Sequence, residues 1–558
     1  MATISSRTLF LTTSPRTPNK MTPEIALLIK HFEGEKWDHK TQSAFMGVLR
    51  EENFFNGKGE KDPAFSARDR INRAPKSLGF IVLSPKIELT PAGRELIGAK
   101  RTDEIFLRQM LKFQLPSPYH KPSDRATCFC IKPYLELLRL VRIMGTLRFD
   151  ELQIFGMQLT DWHKFDDIVE KIKLFRRKKA KNKGSYRVFK RHYLSNELKE
   201  IYSDRIRQGN TKTRESADAS LEKFLRTQAS NMRDYADACF RYLRATGLVE
   251  VSQMGKSLSI VPDRITDVDY LLKEIDRNPI QFDSEIEYCN YLGDAYTPKL
   301  FTDNRSKLLK KLSEQFPEVT IPPTSSVKDL KIILGDLQDT RKKAYIENAI
   351  KDIKEYRLYD HIQNVFDGIL TKEFYDNPTM LEWNTWRAMT MLDGGNINAN
   401  LNFDDFGNPL STAAGNMPDI VCDYEDFLVA VEVTMTSGQK QFETEGESVT
   451  RHLGKLKVSS GKPCYGLFIA PTINEATISF FYTLHRTRLA IYGGTSVIVP
   501  LPLKVFQKMV QDSRQASYTP DPKHVQRFFE TSKSLALCAE DEQAWYQDVL
   551  ANAMSWLE

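Results

Sequence analysis

No stretch of this 558-residue chain approaches the ~20 apolar residues that a membrane-spanning helix needs; the greasiest, Leu135–Gly145, is interrupted by Arg139 and Arg142. A soluble protein is therefore expected. Cysteine is sparse and unpatterned. The seven residues (Cys128, Cys130, Cys239, Cys289, Cys422, Cys464, Cys538) form no C-x-x-C pair, no second half of a zinc site and no disulfide spacing, and Cys128-x-Cys130 stands alone. Buried free thiols in a reducing compartment are expected. Gly 27 and Pro 26 are ordinary and exclude collagen-like and low-complexity classes. Neither G-x-x-x-x-G-K-[ST] nor G-x-G-x-x-G occurs, so no P-loop is present to hold ATP. The first 23 residues lack acid and are rich in Ser, Thr and Arg, as transit peptides are, but Ser14-Pro15-Arg16-Thr17-Pro18 breaks any amphipathic helix there. An ordered or DNA-touching arm is expected instead.

What is present is the composition of a globular protein: 41% hydrophobic, 27% charged and 11% aromatic residues, enough to bury real cores. At roughly 150 residues per domain the length suggests about three to four domains. The net charge of +6 hides an asymmetry. Residues 1–280 hold 51 Lys+Arg against 35 Asp+Glu, a charge of +16; the rest holds 28 against 38, or −10. A basic half joined to an acidic half suggests a polyanion-binding module attached to something that does not itself need positive charge.

In the basic half, Leu78–Pro91 reads as strand, tight turn, strand, followed by a helix at Ala92–Ile97 with Thr90 as N-cap and Pro91 in the first turn. A comparable unit returns at 233–262, where a helix through Tyr235–Arg244 ends at Gly247 and Leu248–Ser252 turns at Gln253–Lys256 into Leu258–Val261. Between them, Leu135–Ile143, Gly145 and Phe149–Met157 give helix, glycine turn, helix. Helix followed by a short hairpin is the outline of a winged helix, and three such units favour DNA binding. The strongest charge run, Lys171–Arg191, includes Arg176, Arg177, Lys178 and Lys179 and has Phe175, Tyr186 and Phe189 interleaved. It reads either as a solvated helix face or as a set of phosphate contacts. Residues 276–345, broken by Pro317, Pro322 and Pro323, read as a helical linker.

The acidic half carries the chemistry. Ile420, Cys422 and Tyr424 alternate, a turn falls at Glu425-Asp426, and Phe427–Val433 is a continuous apolar strand. Folded as a hairpin, these place Asp419 at the opening of one strand beside Glu432 at the close of the other. Two such acids are costly unless a cation holds them, and oxygen ligands suit Mg²⁺. A helix over Lys440–Leu456 with Glu443, Glu445 and Glu447 follows, then strand Cys464–Ala470, helix Asn474–Leu484 and strand Ser496–Leu501. With a helix around Met380–Met391 in front, this order fits a nuclease core of the PD-(D/E)xK type. A lone Pro-Asp…Glu pair also arises by chance; its neighbourhood strengthens it here. The lysine usual two residues after the second acid is Thr434, and Lys440, Gln441 or a metal-bound water are the candidates for its role.

The run Ala414-Gly415-Asn416-Met417-Pro418-Asp419, then Glu432-Val433-Thr434, Gln441-Phe442, Glu445 and Val449-Thr450-Arg451-His452, resembles the AlwI-type family of type IIS restriction endonucleases, which includes site-specific nicking relatives. Further matching patches are Ser14-Pro15-Arg16, Phe65-Ser66 with Arg68-Asp69-Arg70, and Phe106-Leu107 with Gln109, Lys112 and Gln114. Arg241-Tyr242, Glu382-Trp383 with Thr385-Trp386, and Phe468–Pro471 complete the set, and the threonine in place of lysine is itself a family trait. The resemblance implies Asp419 and Glu432 as principal metal ligands, with Glu382 and Glu445 as additional active-site acids, Glu445 also a ligand. Arg451 and His452 are left between phosphate contact and a helix-terminal structural role. Recognition falls to Arg16, Arg68 and Arg70, because arginine grips guanine bidentately; an internal salt-bridged helix start is the competing reading of Arg68-Asp69-Arg70.

The expected architecture is a multidomain α+β chain with recognition subdomains at 1–110 and 111–275, a helical linker at 276–345, and a nuclease domain at 346–558. The expected function is cleavage of both strands of double-stranded DNA a few bases outside a short asymmetric site resembling GGATC or GAGTC. The resemblance implies Mg²⁺, 5′-phosphate and 3′-hydroxyl ends, a bacterial cytoplasmic setting and a cognate DNA methyltransferase as functional partner. One chain has one active site, so cutting both strands requires a transient homodimer or a second catalytic subunit; a chain that recruits neither would nick. The competing classes are a non-catalytic winged-helix regulator, whose binding would be indifferent to Mg²⁺, and a structure-selective repair or transposition nuclease.

Overall fold

The computed structural model of the chain describes every residue except 1, 5, 53–61, 123–128, 214–215, 253–255, 393–395, 413–416 and 517–519. Cys128, most of the turn expected at Gln253–Lys256, and the Ala414-Gly415-Asn416 part of the motif lie outside the described residues. Two compact units divide the chain, Met1–Leu337 and Gln338–Glu558, with the division inside helix Val327–Lys354. Among the described residues no helix is long and apolar enough to cross a membrane.

The basic unit is mostly helical. Helices Met21–Phe32, His39–Glu51 and Pro63–Asn72 precede the hairpin Ile81–Val82 and Glu88–Leu89, and Asp38 and Asp62 each cap the helix that follows them. Thr90 accepts a hydrogen bond from Gly93 N and caps helix Pro91–Gly98, as its position before Pro91 predicts. Helix Pro133–Met144 ends at Gly145, whose φ of +70° is one that L side chains avoid. The second helix expected after that glycine, at Phe149–Met157, is present, but a strand the sequence pattern did not show comes first: Thr146–Arg148 pairs with Ser257–Ile260, Leu147 against Leu258. Val249–Val251 pairs on the other side of Ser257–Ile260, making a three-stranded sheet. The helix Phe149–Ile154 starts only afterwards. Tertiary pairing decided a segment that local pattern assigned to a turn.

The arm at Ser14–Arg16 is pinned. Tyr242 Oη donates to the Pro15 carbonyl at 3.0 Å, and Arg16 pairs with Asp234 at 3.3 Å and Asp237 at 3.5 Å. A polar staple ties helix Glu285–Gly293 and its flanks to helix Asp103–Lys112. Gln109 Nε2 donates to the Leu78 and Leu292 carbonyls, Lys112 Nζ to those of Tyr291, Leu292 and Asp294, and Gln114 Nε2 to that of Ile280. All three side chains are buried, and burial pushes the Lys112 ammonium down to about 7. The patch Phe106–Gln114 is thus structural, its polar members serving carbonyls that would otherwise be orphaned.

In the C-terminal unit we label α1 (Asn377–Leu392), β1 (Asn396–Ala399), β2 (Ile420–Asp423), β3 (Leu428–Val433), α2 (Gln439–Ser460), β4 (Cys464–Ala470), α3 (Glu475–Arg486) and β5 (Ile498–Pro502). The five strands form one sheet in the order β5-β4-β3-β2-β1. β3, β4 and β5 run parallel, while β2 is antiparallel to both β3 and β1. Every residue of β4, and every residue of β3 except Val433, is buried. Successive side chains of a strand point to opposite faces, so both faces of the sheet centre are covered, which is why these strands read as unbroken apolar runs. The β2–β3 turn places Glu425 at a φ of +67°. The strand-strand-helix-strand-helix-strand order from β2 to β5 is the one the sequence pattern predicts, with bounds shifted by a few residues at most helix ends.

Replacing Gln109 by Leu leaves the Leu78 and Leu292 carbonyls without this donor. The expected result is a loss of about 1–3 kcal/mol of stability, read as a lower urea midpoint at unchanged slope.

Candidate active site

Antiparallel register builds the site. Ile420 pairs with Val431, so the residue before β2, Asp419, comes beside Glu432 near the end of β3. Asp419 Oδ2 accepts a hydrogen bond from Val433 N at 2.9 Å, which fixes its carboxylate across the strand end. Glu445 joins them from α2. Its Oε1 accepts from Thr434 Oγ1 at 3.0 Å and from Thr444 Oγ1 at 3.2 Å, and its charge bears on both Asp419 and Glu432.

The electrostatics are those of acids held together against repulsion. Both Asp419 and Glu432 have carboxyl pKa values pushed well above the usual range. Desolvation is the largest cause for each; after it come the Glu432 charge acting on Asp419 and the Glu445 charge acting on Glu432. Asp419 is only half-buried as a residue, but its carboxyl group is enclosed. Buried carboxylates that raise one another's pKa are relieved by an enclosed cation, and an all-oxygen donor set suits a hard divalent ion. The residues fit Mg²⁺.

His452, seven residues and two turns beyond Glu445 on α2, places Nδ1 2.6 Å from Glu432 Oε1. Burial lowers its pKa to about 4, helped by the neighbouring charges of Arg451 and Lys455. The imidazole is therefore neutral at pH 7, its Nδ1 sharing a hydrogen bond with Glu432 and its buried Nε2 without a hydrogen-bond partner among the described residues. The sequence reading left His452 between two roles; the i, i+7 spacing from Glu445 was the signal that they share a helix face. Arg451 pairs with Glu447 at 3.1 Å and lowers the Glu432 pKa against the other terms.

Two candidates for the missing lysine separate. Gln441 is fully buried, its Nε2 donating to the Thr436 and Thr472 carbonyls and its Oε1 accepting from Asn474 N, so it holds loops together and has no free group to offer. Lys440 is exposed. Thr434 itself orients Glu445. Glu382 is buried on α1, which packs on β2 and β3.

The arginines and lysines expected to touch DNA divide by partner. Arg70 is committed to the buried Glu24, and Arg68 donates to Gln42 Oε1 at 2.8 Å and faces Asp62 at 3.7 Å. Arg176 forks onto the buried Glu151, both N···O distances 2.7 Å, and that pairing raises its pKa. Arg177 and Lys178 are exposed on helix Phe165–Lys181, Lys178 5.5 Å from the Tyr193 ring centre, while Lys179 lies over Tyr186 at 4.5 Å. The interleaved aromatics face inward: Phe175 is fully buried and packs on Phe155, Phe189 and Tyr193, joining this helix to Tyr186–Ile201.

The AlwI restriction endonuclease family model matches residues 76–509, which spans both units. The chain belongs to the AlwI restriction endonuclease family. It is accordingly a type II restriction endonuclease, a site-specific deoxyribonuclease that binds DNA. No curated protein matches the sequence. Two solved structures are similar in part. The small subunit of the heterodimeric restriction endonuclease R.BspD6I is 25% identical, covering 36% of this chain and 95% of that chain at a TM-score of 0.28. The BpuJ1 endonuclease binding domain, solved with pyrene- and phenanthrene-modified DNA, is 12% identical, covering 49% and 91% at a TM-score of 0.30.

In metal-free protein the raised carboxyl pKa values mean that the folded state keeps protons the unfolded chain has released. Stability is then expected to fall as pH rises from the ordinary carboxylate range to the raised values. Asp419→Asn removes one charge from the group and is expected to raise the melting temperature in EDTA at pH 8, by about 1–2 kcal/mol in stability terms. An unchanged or lowered melting temperature would contradict the repulsion argued here.

Proposed function

We propose that this AlwI-family chain is a type IIS restriction endonuclease that reads a short asymmetric double-stranded site, GGATC- or GAGTC-like, and hydrolyses phosphodiester bonds a few bases outside it. The observation that carries the reading is the enclosed acid group Asp419, Glu432 and Glu445 at the end of the β2–β3 hairpin. The order of β2, β3, α2, β4, α3 and β5 supports a PD-(D/E)xK nuclease core. In the basic unit, helix Pro133–Met144, strand Thr146–Arg148, helix Leu221–Arg244 and the paired strands Val249–Val251 and Ser257–Ile260 support a winged-helix reading of residues 111–275. The hairpin at Ile81–Leu89 after helices Met21–Phe32, His39–Glu51 and Pro63–Asn72 supports a second one at 1–110.

Asp419, Glu432 and Glu445 would hold Mg²⁺, which when bound supplies Lewis acidity at the scissile phosphate and a bound water of lowered pKa. His452 holds the Glu432 carboxylate through Nδ1, and Thr434 holds that of Glu445, so two ligands are oriented before the ion arrives. Glu382 is the additional acid on α1. The reaction leaves 5′-phosphate and 3′-hydroxyl ends. Of the basic run, Arg177, Lys178 and Lys179 contact phosphates, whereas Arg176 and Arg70 act by holding the elements that carry the contacts. Arg68 and Arg16 remain exposed enough for DNA, their side chains 38% and 55% accessible. Cutting both strands recruits a second nuclease unit, as a transient homodimer or a separate subunit; a chain that recruits none is the strand-specific nicking variant. The setting is a bacterial cytoplasm beside a cognate methyltransferase.

Asp419→Ala is expected to keep site-specific binding in a gel-shift assay and to lose cleavage; a variant that still cut would remove Asp419 from the centre. Arg177→Ala with Lys178→Ala is expected to weaken binding on all sequences alike and to reduce the slope of log affinity against log salt by about 2. A change confined to one base position would instead make these residues base readers.

A further inference from the structure

A second group of metal-ligating side chains lies in the basic unit, apart from the acids of the C-terminal unit. Cys130 N donates to the Thr160 carbonyl and Trp162 N to the Cys130 carbonyl, both at 3.0 Å, a parallel bridge that sets Cys130 beside Asp161. Asp161 caps the turn Trp162–Lys164: its Oδ1 accepts from His163 N at 3.0 Å and lies 2.7 Å from His163 Nδ1. The Cys130 Sγ, a carboxylate oxygen of Asp161 and a ring nitrogen of His163 all lie within 4.8 Å of one another. Among the described residues this is the one group of three or more His, Cys, Asp or Glu side chains to converge so closely.

The surroundings hold these donors in place. The His163 ring stacks on Trp162 at 3.8 Å, Trp162 Nε1 donates to Asn278 Oδ1 at 3.1 Å, and the Arg277 guanidinium covers the Trp162 ring at 4.5 Å. Arg277 is in turn held by the buried Glu136. Cys130 and Asp161 are half-buried and His163 is exposed, so an ion reaches the group from solvent and keeps a coordination position open to water. Thiolate, imidazole and carboxylate together suit a borderline ion; Mg²⁺, which prefers oxygen throughout, is a poor match.

We propose that Cys130, Asp161 and His163 form a Zn²⁺ site in the basic unit. Coordination releases the Cys130 thiol proton to solvent and replaces the hydrogen bond between Asp161 and His163 with bonds from both to the ion. The ion clips the segment entering helix Pro133–Met144 to the turn entering helix Phe165–Lys181, the helix that carries the basic run. Its effect falls on the stability of the basic unit and not on the hydrolytic chemistry, so it holds whether or not the acid group is the cleavage centre.

The test uses the full chain, stripped with EDTA and dialysed, titrated with Co²⁺ as a coloured substitute for Zn²⁺. Wild type and Asp419→Ala are expected to show a thiolate-to-cobalt charge-transfer band that saturates at one equivalent and is erased by Zn²⁺. His163→Ala and Cys130→Ser are expected to lose it. Zn²⁺ is expected to raise the melting temperature of Asp419→Ala, in which the acid group is broken, and to leave unchanged that of Asp419→Ala combined with His163→Ala or with Cys130→Ser; the increment is read for each protein against its own metal-free value. No band in wild type, or a band undiminished in either site variant, would overturn the proposal.

Discussion

The pairing of Ile420 with Val431 forces Asp419 and Glu432 together at the end of a hairpin whose strands are otherwise apolar. Register in such a sheet is not negotiable: a slip of one residue would turn the buried face of β2 toward solvent. The sheet therefore sets the position of the acids, and the acids bear the consequence as mutual repulsion in an enclosed place. Much of the local detail follows from managing that repulsion. Val433 N donates to one carboxyl group, Thr434 Oγ1 to another, and the His452 imidazole, kept neutral by burial, shares a hydrogen bond with the third. Each partner offers a dipole and no full charge, so the group stays receptive to a cation in a way that a lysine-neutralised one would not. In this light the threonine at 434 holds the Glu445 carboxylate, and its hydroxyl takes a place that a lysine's charge would have filled differently.

The basic unit solves a different problem. An excess of positive charge is useful toward a polyanion only where it is not already spent, and the structure spends a good part of it internally. Arg70 on Glu24, Arg176 on Glu151 and Arg277 on Glu136 are each arginines brought to carboxylates with almost no solvent access. Removing one partner of such a pair leaves a buried charge and costs about 3–5 kcal/mol. Arg177 and Lys178, on the same helix as Arg176, remain at the surface. Charge counting along a sequence cannot make this distinction, since the paired carboxylates lie 46 and 25 residues away for the first two and 141 for the third.

The same division between local and long-range information accounts for what could be read beforehand. Strand β4 was legible to the residue because a strand covered on both faces is an uninterrupted apolar run, Cys464–Ala470, ended by Pro471. The neighbourhood of Asp419 and Glu432 was legible because a hairpin with a short turn fixes which ends meet. Thr146–Arg148 was not, since three residues carry no period and its partner strand is more than a hundred residues on. Gln109, Lys112 and Gln114 stood out in the sequence only as a family-matching patch, and the carbonyls of Ile280, Tyr291, Leu292 and Asp294, far along the chain, reveal what they hold. His452 stood at a legible spacing from Glu445; its bond to Glu432 needed the sheet to be built first.

The central claim is that these acids belong to a nuclease that cuts DNA at a defined place. Incubation of the protein with a supercoiled plasmid of known sequence, in Mg²⁺ and in EDTA, tests it most directly when the ends produced are sequenced. The account predicts discrete ends in Mg²⁺ alone, at a constant offset of a few bases from one short asymmetric sequence. Equal cleavage in EDTA, or ends scattered without a common neighbouring sequence, would contradict it.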